Sequence, residues 1–210
     1  MPQFRIVGDP SPEAWNRVHR YASWMHQTYL DQRWTFGEDT LTKLRTNSPT
    51  SGWFPALQDL FWRIAQSNLS YVDLFFSPHL TKISISTSTS WRSSGVPYEI
   101  LPAIASTLST LPTTALQSLW VSPLISGSAL RDPLSSVVLR CGPSLTEFIS
   151  TVPLSDAAVD HLIRLPHLFT CRIEGPPPSY SPHICLPSRL SQHSHSGGTL
   201  HWNGFRCSID

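Results

Sequence analysis

The chain has 210 residues, 40% of them hydrophobic, with 15 basic and 14 acidic side chains and a net charge of +1. That is enough apolar material for one sizeable core and a squeeze for two independent domains. Balanced charge without a lysine or arginine block excludes the electrostatic footprint of a nucleic-acid or membrane-surface binder, and no run approaches the roughly 20 apolar residues of a bilayer span.

The N-terminus shows no basic-then-apolar leader, so the expected location is cytoplasmic or nuclear, not secreted. Cys141, Cys171, Cys185 and Cys207 are widely spaced with no paired motif, which speaks against a disulfide framework; Cys141 and Cys171 fall where an apolar residue is expected and read as core thiols. In chain order, Phe4 to Val7 reads as a first strand and Gly8 to Pro10 as a turn. Ser11, Pro12 and Glu13 then have the order of an N-cap, a first-turn proline and a first-turn acid. Trp15, Val18, Ala22, Met25 and Tyr29 follow at helical spacing, predicting a helix over Pro12–Tyr29. A short helix is expected over Asp39–Leu44, with a loop from Asn47 to Gly52.

From Trp53 onward a phrase recurs. It reads Pro55-Ala-Leu57-Gln-Asp-Leu60-Phe-Trp62, then Pro78-His-Leu80-Thr-Lys-Ile83-Ser-Ile85, Pro143-Ser-Leu145-Thr-Glu-Phe148 and Pro166-His-Leu168-Phe-Thr-Cys171-Arg-Ile173, with Leu116-Gln-Ser-Leu119-Trp-Val121 lacking the proline. A proline that ends one element, an apolar anchor and a short strand with alternate residues inward is the grammar of leucine-rich repeats. The anchors at 57, 80, 116, 145 and 168 are 23, 36, 29 and 23 residues apart. Between copies, residues 99–111 and 155–164 carry helical apolar faces, and Leu134, Val137, Val138 and Cys141 repeat the device in brief. The expected fold is therefore α/β: a short irregular leucine-rich-repeat-like solenoid with parallel strands near Leu57–Arg63, Leu80–Ser86, Leu116–Ser122, Leu145–Ile149 and Leu168–Glu174 on one face and helices on the other. Residues 1–50 form a helical segment packing on the first repeat, and the solenoid spans 51–175.

Residues 176–210 read as a proline-rich linker and a tail without apolar period, expected to be disordered and to leave the last strand edge open. The tail has a second reading as an out-of-frame segment. A serine codon of the TCN type yields, one base earlier, a codon with T in the middle, and all of those are apolar; Ser188, Ser191, Ser194 and Ser196 would become apolar at the alternating places a repeat needs.

The phrases Arg33-Trp-Thr-Phe-Gly-Glu-Asp-Thr-Leu-Thr-Lys-Leu44, Ser77-Pro-His-Leu-Thr-Lys-Ile-Ser-Ile85, Leu101-Pro-Ala-Ile-Ala105, Ser135-Ser-Val-Val-Leu-Arg-Cys141 and Leu154-Ser-Asp-Ala-Ala-Val-Asp-His-Leu162 make the region from about Gln32 to Ser181 resemble the fungal F-box proteins with degenerate leucine-rich repeats. The resemblance implies a non-enzymatic protein–protein interaction module, the substrate-recruiting repeat region of an SCF ubiquitin ligase subunit. Residues 1–50 hold no F-box-like run, so binding to the SCF adaptor is not expected. The rival reading is a truncated or decayed paralogue that keeps no partner.

Chemical motifs are sparse. There is no nucleophile elbow, glycine-rich phosphate loop or H-E-x-x-H, and His183, Cys185, His193, His195 and His201 match no zinc spacing; no enzyme activity, cofactor or metal is expected. Asp156, Asp160 and His161 read as a cap-turn acid and a solvated helix face. Outward strand positions would be Asp59, Phe61, Arg63, Lys82, Ser84, Trp120, Glu147, Thr170, Arg172 and Glu174. Of these, Phe61, Arg63, Lys82, Trp120, Glu147, Arg172 and Glu174 are the candidate contacts for an unknown protein partner, since a mix of aromatics, charge and hydroxyls suits an interface better than an active site. Trp120 either packs under a loop or stands as an exposed anchor.

Overall fold

The computed structural model describes residues 3–4, 6–31, 35–48, 52–87, 97–122, 129–173, 200–202 and 205–206. The recurring phrase folds the same way each time. A β-turn from the residue before the proline position to the anchor leucine leads in: the N–H of Leu57 bonds the carbonyl of Phe54 at 3.0 Å, Leu80 that of Ser77 at 3.2 Å, Leu116 that of Thr113 at 3.3 Å and Leu145 that of Gly142 at 3.2 Å. Pro55, Pro78 and Pro143 occupy the second turn position, where a φ fixed near −65° costs nothing. Each turn delivers its leucine to the interior and opens a strand.

Those strands are β4 (Asp59–Ile64), β5 (Lys82–Thr87), β6 (Ser118–Val121), β7 (Glu147–Ser150) and β8 (Thr170–Ile173). They lie side by side in chain order and all parallel, and a sixth, β2 (Gln27–Leu30), pairs in parallel with β4 at the other margin. Three helices follow the strands: α3 (Leu101–Ser109), α4 (Arg131–Arg140) and α5 (Asp156–Arg164), with α3 against α4 and α4 against α5. The result is an open α/β arrangement in which strand follows strand and helix follows helix.

The core lies between the two layers. Leu60, Trp62 and Ile64 of β4, Ile83 and Ile85 of β5, Leu119 and Val121 of β6 and Phe148 of β7 are buried on one sheet face, joined there by Ile104 and Leu108 of α3, Val137 and Val138 of α4 and Leu162 of α5. Polar groups at the joints are satisfied locally. Ser155 caps α5 by accepting from the Ala158 N–H at 3.3 Å, and its own N–H donates to Ser135 Oγ of α4 at 2.8 Å. Arg140, in the last turn of α4, donates to the carbonyls of Leu108 and Leu111 at and just beyond the end of α3, tying the two helices together.

The N-terminal part packs onto the first copies. α1 (Pro12–Ala22) presents Trp15 and His19 to Trp53, with ring centroids 5.6 Å and 4.7 Å from the Trp53 ring. From α2 (Glu38–Thr46), Arg45 donates to the Ser70 carbonyl and pairs with Asp73 at 3.0 Å, while Trp53 Nε1 donates to the Leu44 carbonyl. β1 (Gln3–Phe4) and β3 (Thr35–Phe36) form a separate parallel pair.

Two expectations are corrected. The first helix stops at Ala22 and does not reach Tyr29, because Ser23 to Met25 form tight turns onto His19, Tyr21 and Ala22, and Gln27–Leu30 is strand β2. Pairing with β4 satisfies a whole ladder of backbone groups, which outweighs two further helical turns. The tail was expected to leave β8 bare; instead β9 (Leu200–Trp202) pairs with β8 in parallel and β10 (Phe205–Arg206) returns antiparallel on β9. An edge strand is a template for further pairing, and here it is used. Residues 174–199 lie outside the described residues, as do 88–96, which include most of the Ser/Thr run after β5.

Candidate functional site

Parallel pairing in register stacks equivalent positions into rows. On the sheet face opposite the helices, the central row is Tyr29, Phe61, Ser84, Trp120, Ile149 and Arg172, one residue from each strand from β2 to β8. The row two residues earlier is Gln27, Asp59, Lys82, Ser118, Glu147 and Thr170. Arg63 and Ser86 continue the face beyond the central row. At a strand spacing of about 4.8 Å, Phe61 and Trp120 are about 10 Å apart across Ser84.

The two rows differ in character. The central one is aromatic and aliphatic, with Trp120 50% and Tyr29 41% exposed and Phe61 and Ile149 half-buried. Trp120 thus stands in solvent and is not packed under a loop, resolving the two readings of its position. Tyr29 and Phe61 rings are 6.5 Å apart, and the Arg63 guanidinium lies over Tyr29, 5.4 Å from its centroid. The earlier row is polar: Ser118 Oγ donates to Glu147 Oε2 at 2.8 Å, and Lys82 is exposed beside Asp59.

Six of the seven candidate contacts are therefore brought onto one face. Phe61, Trp120 and Arg172 share the central row, Lys82 and Glu147 the polar row, and Arg63 stands beyond them; Glu174 lies outside the described residues. Tyr29 and Ile149 belong to the central row and were missed. Tyr29 was hidden by its helical spacing from Trp15 and Met25. Ile149 was readable, since it follows the inward Phe148 in the alternation along β7.

Among the described residues no group of three or more His, Cys, Asp or Glu side chains could hold a metal ion. Cys141 and Cys171 belong to the interior, where burial pushes both thiols up to about 12. Asp156 lies in the first turn of α5 and His161 faces the Cys141 carbonyl at 3.0 Å, so neither reaches the strand face. No helix among the described residues is long and apolar enough to cross a membrane. Comparison with protein-family models, curated proteins and solved structures found no match.

Proposed function

We propose that the chain is a non-enzymatic interaction module, a short irregular leucine-rich-repeat solenoid whose strand face holds another protein. The observation that carries this reading is the row Tyr29, Phe61, Trp120 and Ile149, four apolar side chains in register on the exposed face of the sheet from β2 to β7. An aligned apolar strip within a polar surround has the composition of an interface centre with its rim. Arg63, Lys82, Glu147 and Arg172 supply that rim. The resemblance to F-box repeat proteins makes a ubiquitylation substrate the favoured partner and the cytoplasm or nucleus the favoured place. With no docking element in residues 1–50, this chain does not itself hold the SCF adaptor.

The test is a proximity-labelling and pull-down comparison of the wild type, Phe61→Ala/Trp120→Ala, Arg63→Glu/Arg172→Glu and a helix-face control, Arg164→Glu. Partners lost at least tenfold in the two strand-face variants and retained by the control support the reading. Equal recovery from all four, or no specific partner from the wild type, removes it and favours the decayed paralogue.

A further inference from the structure

Every strand from β4 to β8 opens with the same contact, and β2 opens without it. The N–H groups of Gln58 and Asp59 converge on the His26 carbonyl at 2.9 and 3.0 Å; those of Thr81 and Lys82 converge on Gln58, those of Gln117 and Ser118 on Thr81, those of Thr146 and Glu147 on Gln117, and those of Phe169 and Thr170 on Thr146. One carbonyl thus receives two consecutive donors at each of five junctions. Gln27 stands opposite Asp59, so His26 and Gln27 are the equivalent pair in β2. Among the described residues neither N–H has an acceptor, and both residues are exposed.

The rest of the strand agrees. At the shared-carbonyl residue the N–H and C=O point to opposite sides, as Gln58 shows by donating to His26 and accepting from Thr81 and Lys82; in the regular ladder that follows, the N–H and C=O of one residue point to the same side and alternate along the chain. His26 gives its carbonyl to β4, so Gln27 and Tyr29 aim theirs away from the sheet, at whose margin β2 lies. Gln27–Leu30 carries no charge and no proline, the usual devices that close an edge. Val18, Tyr21 and Trp24 stand 44%, 64% and 63% exposed just before this strand, and the Tyr21 and Trp24 rings meet edge to face at 5.6 Å.

We propose that the β2 edge is a strand-addition site that receives an extended segment of a partner polypeptide in parallel, one carbonyl of which accepts the N–H groups of His26 and Gln27. The occupant is defined by its main chain and by alternation: an apolar side chain inward beside Thr28, and outward a side chain that packs on Tyr29. A second copy of this chain is the poorer fit. Two-fold symmetry that brings two such edges together in one continuous sheet makes them antiparallel, and that ladder does not reproduce a carbonyl shared by consecutive donors. The site adjoins the strand face at Tyr29, but it is defined by main-chain groups of the β2 edge that the strand-face variants leave intact.

The probe is a synthetic peptide with the sequence of residues 77–87, the segment that in this fold presents the Thr81 carbonyl to Gln117 and Ser118. Added to the full chain, it is expected to slow amide exchange at His26, Gln27 and Tyr29 by about tenfold or more while a scrambled peptide does not. Gln27→Pro removes an outward N–H without taking a bond from β4, and should abolish that protection at unchanged thermal midpoint. Should Gln27→Pro misfold, Tyr29→Lys serves, placing a charge at the same edge. The proposal is overturned if the peptide slows nothing at millimolar concentration, if the amides of His26 and Gln27 are already slow without it, or if the variants keep the protection. Edge protection that instead grows with protein concentration as the mass doubles identifies a second copy as the occupant and equally overturns it.

Discussion

The indole N–H of Trp62 donates to the side-chain oxygen of Asn68 at 3.0 Å, and both residues are fully buried. The same oxygen accepts from the Ala65 N–H at 3.1 Å, and Asn68 Nδ2 donates to the Arg63 carbonyl at 2.8 Å. One amide therefore satisfies three groups where β4 leaves the sheet. An asparagine is suited to this because it is donor and acceptor at once.

Asn68→Ala should destabilise the protein by about 3 kcal/mol, since it strands buried polar groups that cost about 1–3 kcal/mol each and that water only partly rescues. Asn68→Asp keeps the acceptor but loses the donor to Arg63, and should also be destabilising. Urea unfolding followed by tryptophan fluorescence measures both, and a loss under 1 kcal/mol for Asn68→Ala would show that the knot contributes little.

The inward leucines of the copies are not equal. Leu80 and Leu119 are buried to within 1% exposure, whereas Leu168 is only partly buried beside the last described strand of the five copies. Truncation of Leu80 or Leu119 to alanine should cost about 2–5 kcal/mol, the range for well-packed leucines, and Leu168→Ala clearly less. Equal losses at the three positions, measured by chemical denaturation, would contradict the packing gradient.

Thr114 occupies the turn position that Pro55, Pro78 and Pro143 hold in the sister copies, within the turn closed by the Leu116 N–H on the Thr113 carbonyl. Thr114→Pro should raise stability by about 0.4–1 kcal/mol, because it removes freedom from the unfolded chain without taking a hydrogen bond from the folded one. A lowered midpoint in urea would mean that this turn differs in backbone angle from its sisters.

Alkaline pH should unfold the protein through its interior. Burial pushes the Cys141 and Cys171 thiols up to about 12, and burial together with the Asp31 carboxylate pushes the Tyr71 phenol up to about 12. Each folded value lies above the unfolded one, so the folded state holds these protons more tightly. The contribution is complete below pH 8 and is lost progressively from about pH 9 to 12. Unfolding free energy should fall between pH 8 and 10.5, and Cys141→Ala, less stable in itself, should show a shallower fall. An unchanged slope in that variant would exclude the thiol as a contributor.

Much of the architecture was legible because its signals are local. A proline, an anchor leucine and alternating apolar residues state a turn and a strand within ten residues, and all five copies became neighbouring parallel strands with boundaries shifted by two residues at their starts. That shift has a cause: the first exposed residues after each anchor make the shared-carbonyl contact before regular pairing begins. Period alone also located α3 and α5 to within two residues at each end.

What the amino-acid order determined by itself was the inward set, since burial of Leu60, Ile83, Leu119 or Phe148 follows from apolarity and period whatever the neighbours. Only the tertiary structure decided which outward residues meet. Tyr29, Phe61, Trp120 and Ile149 stand in one row because register joins strands separated by 23 to 36 residues of intervening chain at the anchors, and no spacing along the sequence encodes that alignment. The fate of Tyr29 shows why. Its spacing fits a helix as well as a strand, and the choice was made by β4, whose unpaired backbone groups were satisfied by a ladder that only a distant segment could supply.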